Sequence, residues 1–179
     1  LAAKTLIFSP GPTTTETDKI PVSTIGRIGG VEEIGSMVVG VANADSLAWS
    51  AARYFRNAGA ELAMTYYNEK ARSFVAPLAE EVQAQILPCN VLQDGQLEAV
   101  FDALRERWGK LDFVFHSIAS ARKEDLQGRL TDCSAAGFAE AMLVSCHSLI
   151  RMARLAEPLM RDGGSLTTVS YYGAEKVIE

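Results

Sequence analysis

The sequence predicts an α/β fold built on a doubly wound parallel sheet, and three observations carry that prediction. Short β-rich apolar runs alternate with longer segments of helical period from residue 36 to the end of the chain. Their spacing is that of successive βαβ units, which place parallel strands under helices on both faces. The first run, Met37, Val38 and Val39, breaks at Gly40 and restarts as a helix near Ser46. A strand feeding a helix N-terminus is where such a sheet takes a nucleotide, because unpaired N–H groups and the positive dipole end converge there.

Composition sets the outer bounds. At 179 residues, 48% hydrophobic and 22% charged, the chain has the make-up of one globular domain with a sizeable core. A net charge of −5 leaves no electrostatic footprint for nucleic acid or for an anionic membrane surface. No apolar run approaches the ~20 residues that span a bilayer, and no signal segment opens the chain. The expected location is therefore the cytoplasm, with neither nucleic acid nor membrane as a partner. The chain begins at Leu1 and stops at Glu179 in mid-pattern, as processing, a fragment or an engineered boundary would each produce. Cys89, Cys133 and Cys146 are odd in number, lack a C-x-x-C pattern and lie in or beside apolar runs, so they read as buried free thiols. His116 and His147 have no partner at ligand spacing, so no metal is expected.

Residues 1–35 form a loop-rich segment. Residues 5–8 read as a short strand, ended by Ser9-Pro10-Gly11-Pro12, since prolines cannot continue a ladder. Residues 13–17 and 25–30 read as loop, and 31–34 as one helical turn. The second unit, residues 36–179, is regular. After the opening strand Ser46 caps a helix whose Leu47, Ala51, Phe55 and Ala58 recur at helical spacing until Gly59. Residues 61–67 form the second strand, and Asn68 caps a helix to about Val82 with Ala71, Phe74, Val75, Leu78 and Val82 on one face. Residues 85–91 form the third strand. Asp94 opens a helix with the stripe Leu97, Val100, Phe101, Leu104 and Trp108, closed by Gly109. Residues 111–116 form the fourth strand. Ser134 caps a long helix to about Met160, with Phe138, Ala141, Met142, Ser145, Leu149, Met152 and Ala156 facing inward, and residues 165–170 form the fifth strand. The whole is a Rossmann-type dinucleotide-binding domain, complete or lacking or rearranging part of its sheet.

The candidate site lies at the carboxyl ends of these strands: residues 40–47, 66–68, Asn90 and Val91, 117–119 and 170–173. The first turn has one glycine and is no G-x-G-x-x-G. The end of the second strand offers Thr65, Tyr66 and Tyr67 in place of a carboxylate or arginine, which leaves NAD and NADP both open. Tyr67 is placed either to stack near adenine or to pack in the sheet.

The segments VVGVANADSLAW, TYYNEK, LDFVFHSIASARKEDLQGRL, VSCHSLIRMARLAEPLM and DGGSLTTVSYYGAEKV, in this order, resemble the bacterial enoyl-[acyl-carrier-protein] reductases, divergent short-chain dehydrogenases/reductases. The resemblance covers residues 36–179. It implies NADH-dependent reduction of the 2,3 double bond of an enoyl thioester on acyl carrier protein, in fatty-acid elongation. By position it assigns Gly40, Ala42, Ser46 and Leu47 to pyrophosphate and ribose, Tyr67 to the adenosine side, and Asn90 and Val91 to adenine. Ser117, Ile118 and Ala119 would follow NAD toward nicotinamide, and Tyr171 would face the acyl substrate. Asn90 stands where aspartate is usual, and Ala119 where many relatives have glycine. The family's proton-donating tyrosine and its lysine would fall beyond Glu179.

Tyr172 and Lys176 have the Tyr-x-x-x-Lys spacing of typical short-chain dehydrogenases. They follow the fifth strand too closely for the usual intervening segment, so the match reads as fortuitous. A keto- or hydroxy-directed dehydrogenase using that pair, and a catalytically silent cofactor-binding fragment, are the alternative functions. SPGPTTTETDKIP resembles a segment that typical members carry after their sixth strand, where Pro10, Gly11 and Thr15 would cover the nicotinamide carboxamide and pyrophosphate. Permutation, a chimeric chain, segments out of order or a fortuitous PGP loop would each put it first. If permuted, residues 5–8 would pair beside 165–170. The family's usual dimer face, on the long helix from Ser134, implies a homo-oligomer, a dimer or tetramer.

Overall fold

The computed structural model describes residues 2–8 and 34–170. The elements run β1 (Ala2–Phe8), β2 (Gly35–Val39), α1 (Leu47–Asn57), β3 (Glu61–Tyr66), α2 (Glu69–Glu81), β4 (Gln85–Pro88), α3 (Gln96–Trp108) and β5 (Phe113–His116). They continue with α4 (Ala135–Met142), a π-helical segment (Leu143–His147), α5 (Ser148–Ala156) and β6 (Gly164–Ser170). The strand order is β1-β6-β5-β2-β3-β4. Strands β2 to β6 are parallel, as expected.

The sheet is covered on both faces. Met37, Val39 and Val114 join Leu97, Val100, Phe101 and Leu104 of α3 and Met152 and Ala156 of α5 in one cluster. Val38, Leu62 and Met64 point the other way, onto Ala48, Trp49, Ala52 and Phe55 of α1 and Val75 and Ala79 of α2. Alternation along strands buried on both faces leaves no polar side, which is why 37–39 is uninterruptedly apolar. Full burial of a side chain such as Phe101 or Leu104 contributes roughly 2 kcal/mol.

Local signals set most boundaries. Ser46 and Asn68 accept from the backbone N–H groups of Trp49 and Ala71. Gly109, at φ +67°, closes α3 in a left-handed conformation that glycine adopts without strain. Asp94 does not open α3: the cap position is Gly95 and the helix begins at Gln96. β4 stops at Pro88, short of Val91, because the chain turns there. β5 starts at Phe113. The residue before it, Asp112, ties its carboxylate to the Gly35 N–H (2.9 Å) and so sets the start of β2.

Three predicted helix faces differ from the observed ones. In α1 Leu47 and Ala58 are exposed and the inner face is Ala48, Trp49, Ala52 and Phe55. Trp49 carries the larger apolar body, and it turns the helix by one residue. In α2 Phe74 is 57% exposed while Val75, Ala79 and Val82 fill the core. The predicted long helix is interrupted by its π segment; Gly137, Ser148, Met152 and Ala156 are buried, whereas Phe138 and Met142 are exposed. Apolar residues occupy more than one side of that helix, so period alone does not select the side that meets the sheet.

Residues 5–8 do form a strand beside 165–170, but the strand runs from Ala2 and is antiparallel. Ala2 pairs with Ser170 and Phe8 with Gly164. The sheet is therefore not wholly parallel: β1 joins it at the β6 edge, outside the succession of βαβ units that sets the parallel sense of β2 to β6, and an edge strand so placed can run against its neighbour. Of the thiols, only Cys89 is buried, and burial pushes it up to about 11. Cys133 is half-buried and Cys146 exposed, because they sit on the 130s loop and on the outer side of the π segment. No helix among the described residues is long and apolar enough to cross a membrane. The predicted helical turn at 31–34 lies outside the described residues except for Ile34, which is irregular.

Candidate nucleotide site

Parallel strands end on the same side of a sheet, so the strand order arranges the candidate residues in a row. Asn90 and Val91 follow β4, Tyr67 follows β3, residues 40–47 follow β2, and residues 117–119 follow β5. The row crosses three strand spacings from β4 to β5, roughly 14 Å. From β2 the chain builds outward to β3 and β4, then crosses back to β5 on the other side. β2 and β5 thus flank the topological switch point, the crevice where open α/β sheets bind ligands.

At that point the turn after β2 is shaped by its own residues. Gly40 has φ +101°, and a Cβ there would lie 2.1 Å from the Ser117 carbonyl oxygen, a backbone atom that cannot swing away. The close crossing is closed by the Ser117 N–H donating to the Val39 carbonyl (2.9 Å). Asn43 Oδ1 accepts from the Asp45 N–H (3.0 Å), and the Ser46 hydroxyl donates to the Asn43 carbonyl (2.8 Å). Ser46 then takes the Trp49 N–H. The N–H groups of Leu47 and Ala48 have no carbonyl to reach within the helix and point out of its end. No acidic side chain occupies the first turn. Ala42 and Leu47 are exposed above this end, which suits them to lie against a ligand.

The β3–β4 end of the row is more open. The Tyr67 ring is 59% exposed, so it is not packing in the sheet, whereas Tyr66 is buried. Asn90 makes a turn: its Oδ1 accepts from the Leu92 N–H (3.0 Å), and its N–H donates to Gln96 Oε1 (2.7 Å). Val91 is buried, and its carbonyl accepts from Arg151 Nη1 (2.8 Å). Arg151 also forks onto both Glu98 oxygens at 2.9 and 3.1 Å. That hydrogen bond holds the Glu98 carboxyl below its usual range. Spacing carries no signal for this tie from α5 to the β4 turn, since Arg151 is 60 residues from Val91.

The β5 end is held from three sides. His116, the last residue of β5, is buried among hydrogen-bond partners on two other elements. Ser148 Oγ donates to the Val144 carbonyl (2.6 Å) and so accepts from His116 Nε2 (2.8 Å). Nδ1 is then the acceptor for the Thr168 hydroxyl (2.9 Å), which assigns the proton to Nε2. Burial pushes the imidazole down to about 4. Thr168 is the register partner of His116 on β6, three residues before Tyr171. Farther on, Ser145 Oγ accepts from the Ser120 N–H (3.1 Å), and Arg122 pairs with Glu140 (2.6 Å). A histidine closing an apolar strand was the one local hint of this network. Its partners lie too far along the chain to be paired by spacing.

Ser117 and Ile118 are half-buried and Ala119 is exposed, all at the β5 end. Tyr171, Tyr172 and Lys176 lie outside the described residues, as do Pro10, Gly11 and Thr15. Among the described residues no three His, Cys, Asp or Glu side chains gather as a metal site.

The arrangement fits a dinucleotide: a helix N-terminus at the switch point, an exposed aromatic on one side and a hydrogen-bonded strand end on the other. Comparison with known proteins gives the family. A family model described as enoyl-(acyl carrier protein) reductase matches residues 40–179. The chain is 44% identical over 143 residues to the NADH enoyl-[acyl-carrier-protein] reductase 1 of Rhizobium meliloti, covering 79% of this chain and 53% of that one. It is 39% identical over 147 residues to the Nostoc NADH enzyme, covering 80% and 57%. The crystal structure of the Anaplasma phagocytophilum reductase in complex with NAD superposes with a TM-score of 0.78 at 44% identity, covering 85% of this chain and 59% of that chain. The chain thus spans little more than half the length of the relatives it matches. By family model, sequence and fold together, the chain belongs to the enoyl-(acyl carrier protein) reductase family.

Proposed function

We propose that this chain is the dinucleotide-binding part of an NADH-dependent reductase acting on the 2,3 double bond of enoyl thioesters carried by acyl carrier protein, in fatty-acid elongation. The observation that carries the reading is the order of residues along the carboxyl edge of the sheet, with Tyr67 and Asn90 at one end, the α1 N-terminus in the middle and 117–119 at the other. When bound, NADH supplies a hydride. The chain's own residues bind and orient: the Leu47 and Ala48 N–H groups receive the pyrophosphate, and Gly40 admits the backbone crossing that brings β2 and β5 together. Tyr67 lies against adenosine, with Asn90 and Val91 beside the adenine. Ser117, Ile118 and Ala119 lie toward the nicotinamide, and Tyr171 is assigned to the acyl substrate. Pro10, Gly11 and Thr15 remain assigned to the nicotinamide cover by resemblance.

We further assign a cytoplasmic location and a homo-oligomer, dimer or tetramer, formed through α4 and α5. Exposed Phe138, Met142, Leu143 and Ile150 on that helix support such a face.

The test is a titration of the purified chain with NADH, followed by NADH oxidation in the presence of crotonyl thioester. Binding with turnover is the expected result for a chain that also holds a proton donor. Binding without turnover supports the silent-fragment alternative, and absence of NADH binding overturns the proposal.

A further inference from the structure

The helix beside β5 changes its winding at the level of the strand end. α4 and α5 are α-helical, while Leu143–His147 between them is π-helical. Single π turns inside longer helices are rare, and they are frequent at functional sites because they re-aim the side chains that follow. Here two serines use the altered winding. Ser145, inside the π segment, takes the Ser120 N–H at 3.1 Å, and its hydroxyl faces the Ser120 carbonyl at 3.4 Å. Ser148, the first residue after it, accepts from His116 at 2.8 Å and donates to Val144 at 2.6 Å. The segment 117–119 is therefore bracketed: His116 is anchored to the helix at one end and Ser120 at the other.

We infer that the π segment is a positioning device for the cofactor's nicotinamide half, with Ser145 as the positioning residue that fixes 117–119 through the Ser120 backbone. The inference rests on the NADH reading above. Ser145 itself does not touch the cofactor. It fixes the Ser120 backbone at one end of the loop while the His116 ring holds the other, and the loop between them has no other side-chain tie to α4 or α5 among the hydrogen bonds of the described residues. Loss of the Ser145 hydroxyl frees one anchor while leaving the sheet, the α1 N-terminus and the adenosine side unaltered.

The experiment compares the parent chain with Ser145→Ala, Ser145→Thr and Ser145→Cys by calorimetric titration with NADH and, separately, ADP-ribose, which lacks the nicotinamide. Circular dichroism confirms that each variant is folded. Ser145→Ala should lose about three- to tenfold in NADH affinity, the worth of one ordinary hydrogen bond, with ADP-ribose affinity unchanged. Ser145→Thr, which keeps the hydroxyl, should recover most of the loss. Ser145→Cys, with its weak acceptor, should show the same ligand-selective loss in smaller measure and serves if Ser145→Ala does not fold. Unchanged NADH affinity, an equal loss for both ligands, or no recovery with threonine overturns the inference while leaving the dinucleotide reading intact. A parent chain that binds neither ligand overturns both.

Discussion

The two halves of the candidate nucleotide edge are held by different means. The turn after β2 is shaped within seven residues by a positive-φ glycine, an asparagine turn and a serine cap. The end of β5 is shaped by side chains 25, 32 and 52 residues away, on the π segment, α5 and β6. A local device depends on the residue in place; a long-range one depends on three elements docking correctly. The first half should therefore fail sharply when one atom is added, and the second should fail by degrees as conditions change.

The sharpest break in that contrast is Gly40→Ala. A Cβ 2.1 Å from a backbone oxygen, at φ +101°, must either push β2 from β5 or shift the turn. The strain and overpacking together should cost about 3 kcal/mol or more. Thermal melting should show a fall of roughly 6–12 °C, together with loss of NADH binding. A variant that melts within 2 °C of the parent, on the order of half a kcal/mol, would show that the crossing has slack.

The β5 half should instead respond to pH. His116 has a folded-state value of about 4, below the ordinary 6.5, because burial disfavours its charged form. Between those values the unfolded chain binds more protons, so stability is fully present above 6.5 and is lost as pH falls toward 4. Urea unfolding at pH 7 and pH 4.5 should show a loss in the parent exceeding that in His116→Gln by about 2–3 kcal/mol. Equal losses would mean that the imidazole meets water.

A smaller effect is expected where a long-range tie serves the proposed adenosine side. Arg151→Met removes the donor to Val91 and the fork on Glu98, at a cost of about 1 kcal/mol, and should weaken ADP-ribose about threefold by calorimetry. Unaltered ADP-ribose affinity would limit the tie to stability. The smallest effect belongs to Phe74→Ser, on an exposed position of α2, which should change stability by less than about 0.5 kcal/mol in the same urea assay. A larger loss would restore the packing role that its helical spacing predicted.

The same division governs what could be read from the residues. Met37, Val38 and Val39, Ser46, Asn68 and Gly109 carry their structural meaning locally, and the strand ends that form the candidate edge follow from them. Which apolar residue of a helix faces the sheet does not, as Leu47, Phe74 and Phe138 show: each has the right period and lies outside. The direction of β1 was equally hidden, since a single strand has no sequence signal for the sense in which it pairs. At the site, spacing placed Gly40, Ser46 and 117–119 at strand ends. His116, Ser145 and Arg151 acquire roles only when distant elements meet.

Pro88 closes β4, among the described residues the outermost strand on the side away from β1. The next residue, Cys89, donates its N–H inward to the Tyr66 carbonyl (2.9 Å), so by the alternation of a strand the proline nitrogen faces outward. The ladder to β3 loses nothing, while a newcomer lying alongside would find a missing donor on a rim only four residues long. Fibril-like growth by strand addition is thereby discouraged on that flank.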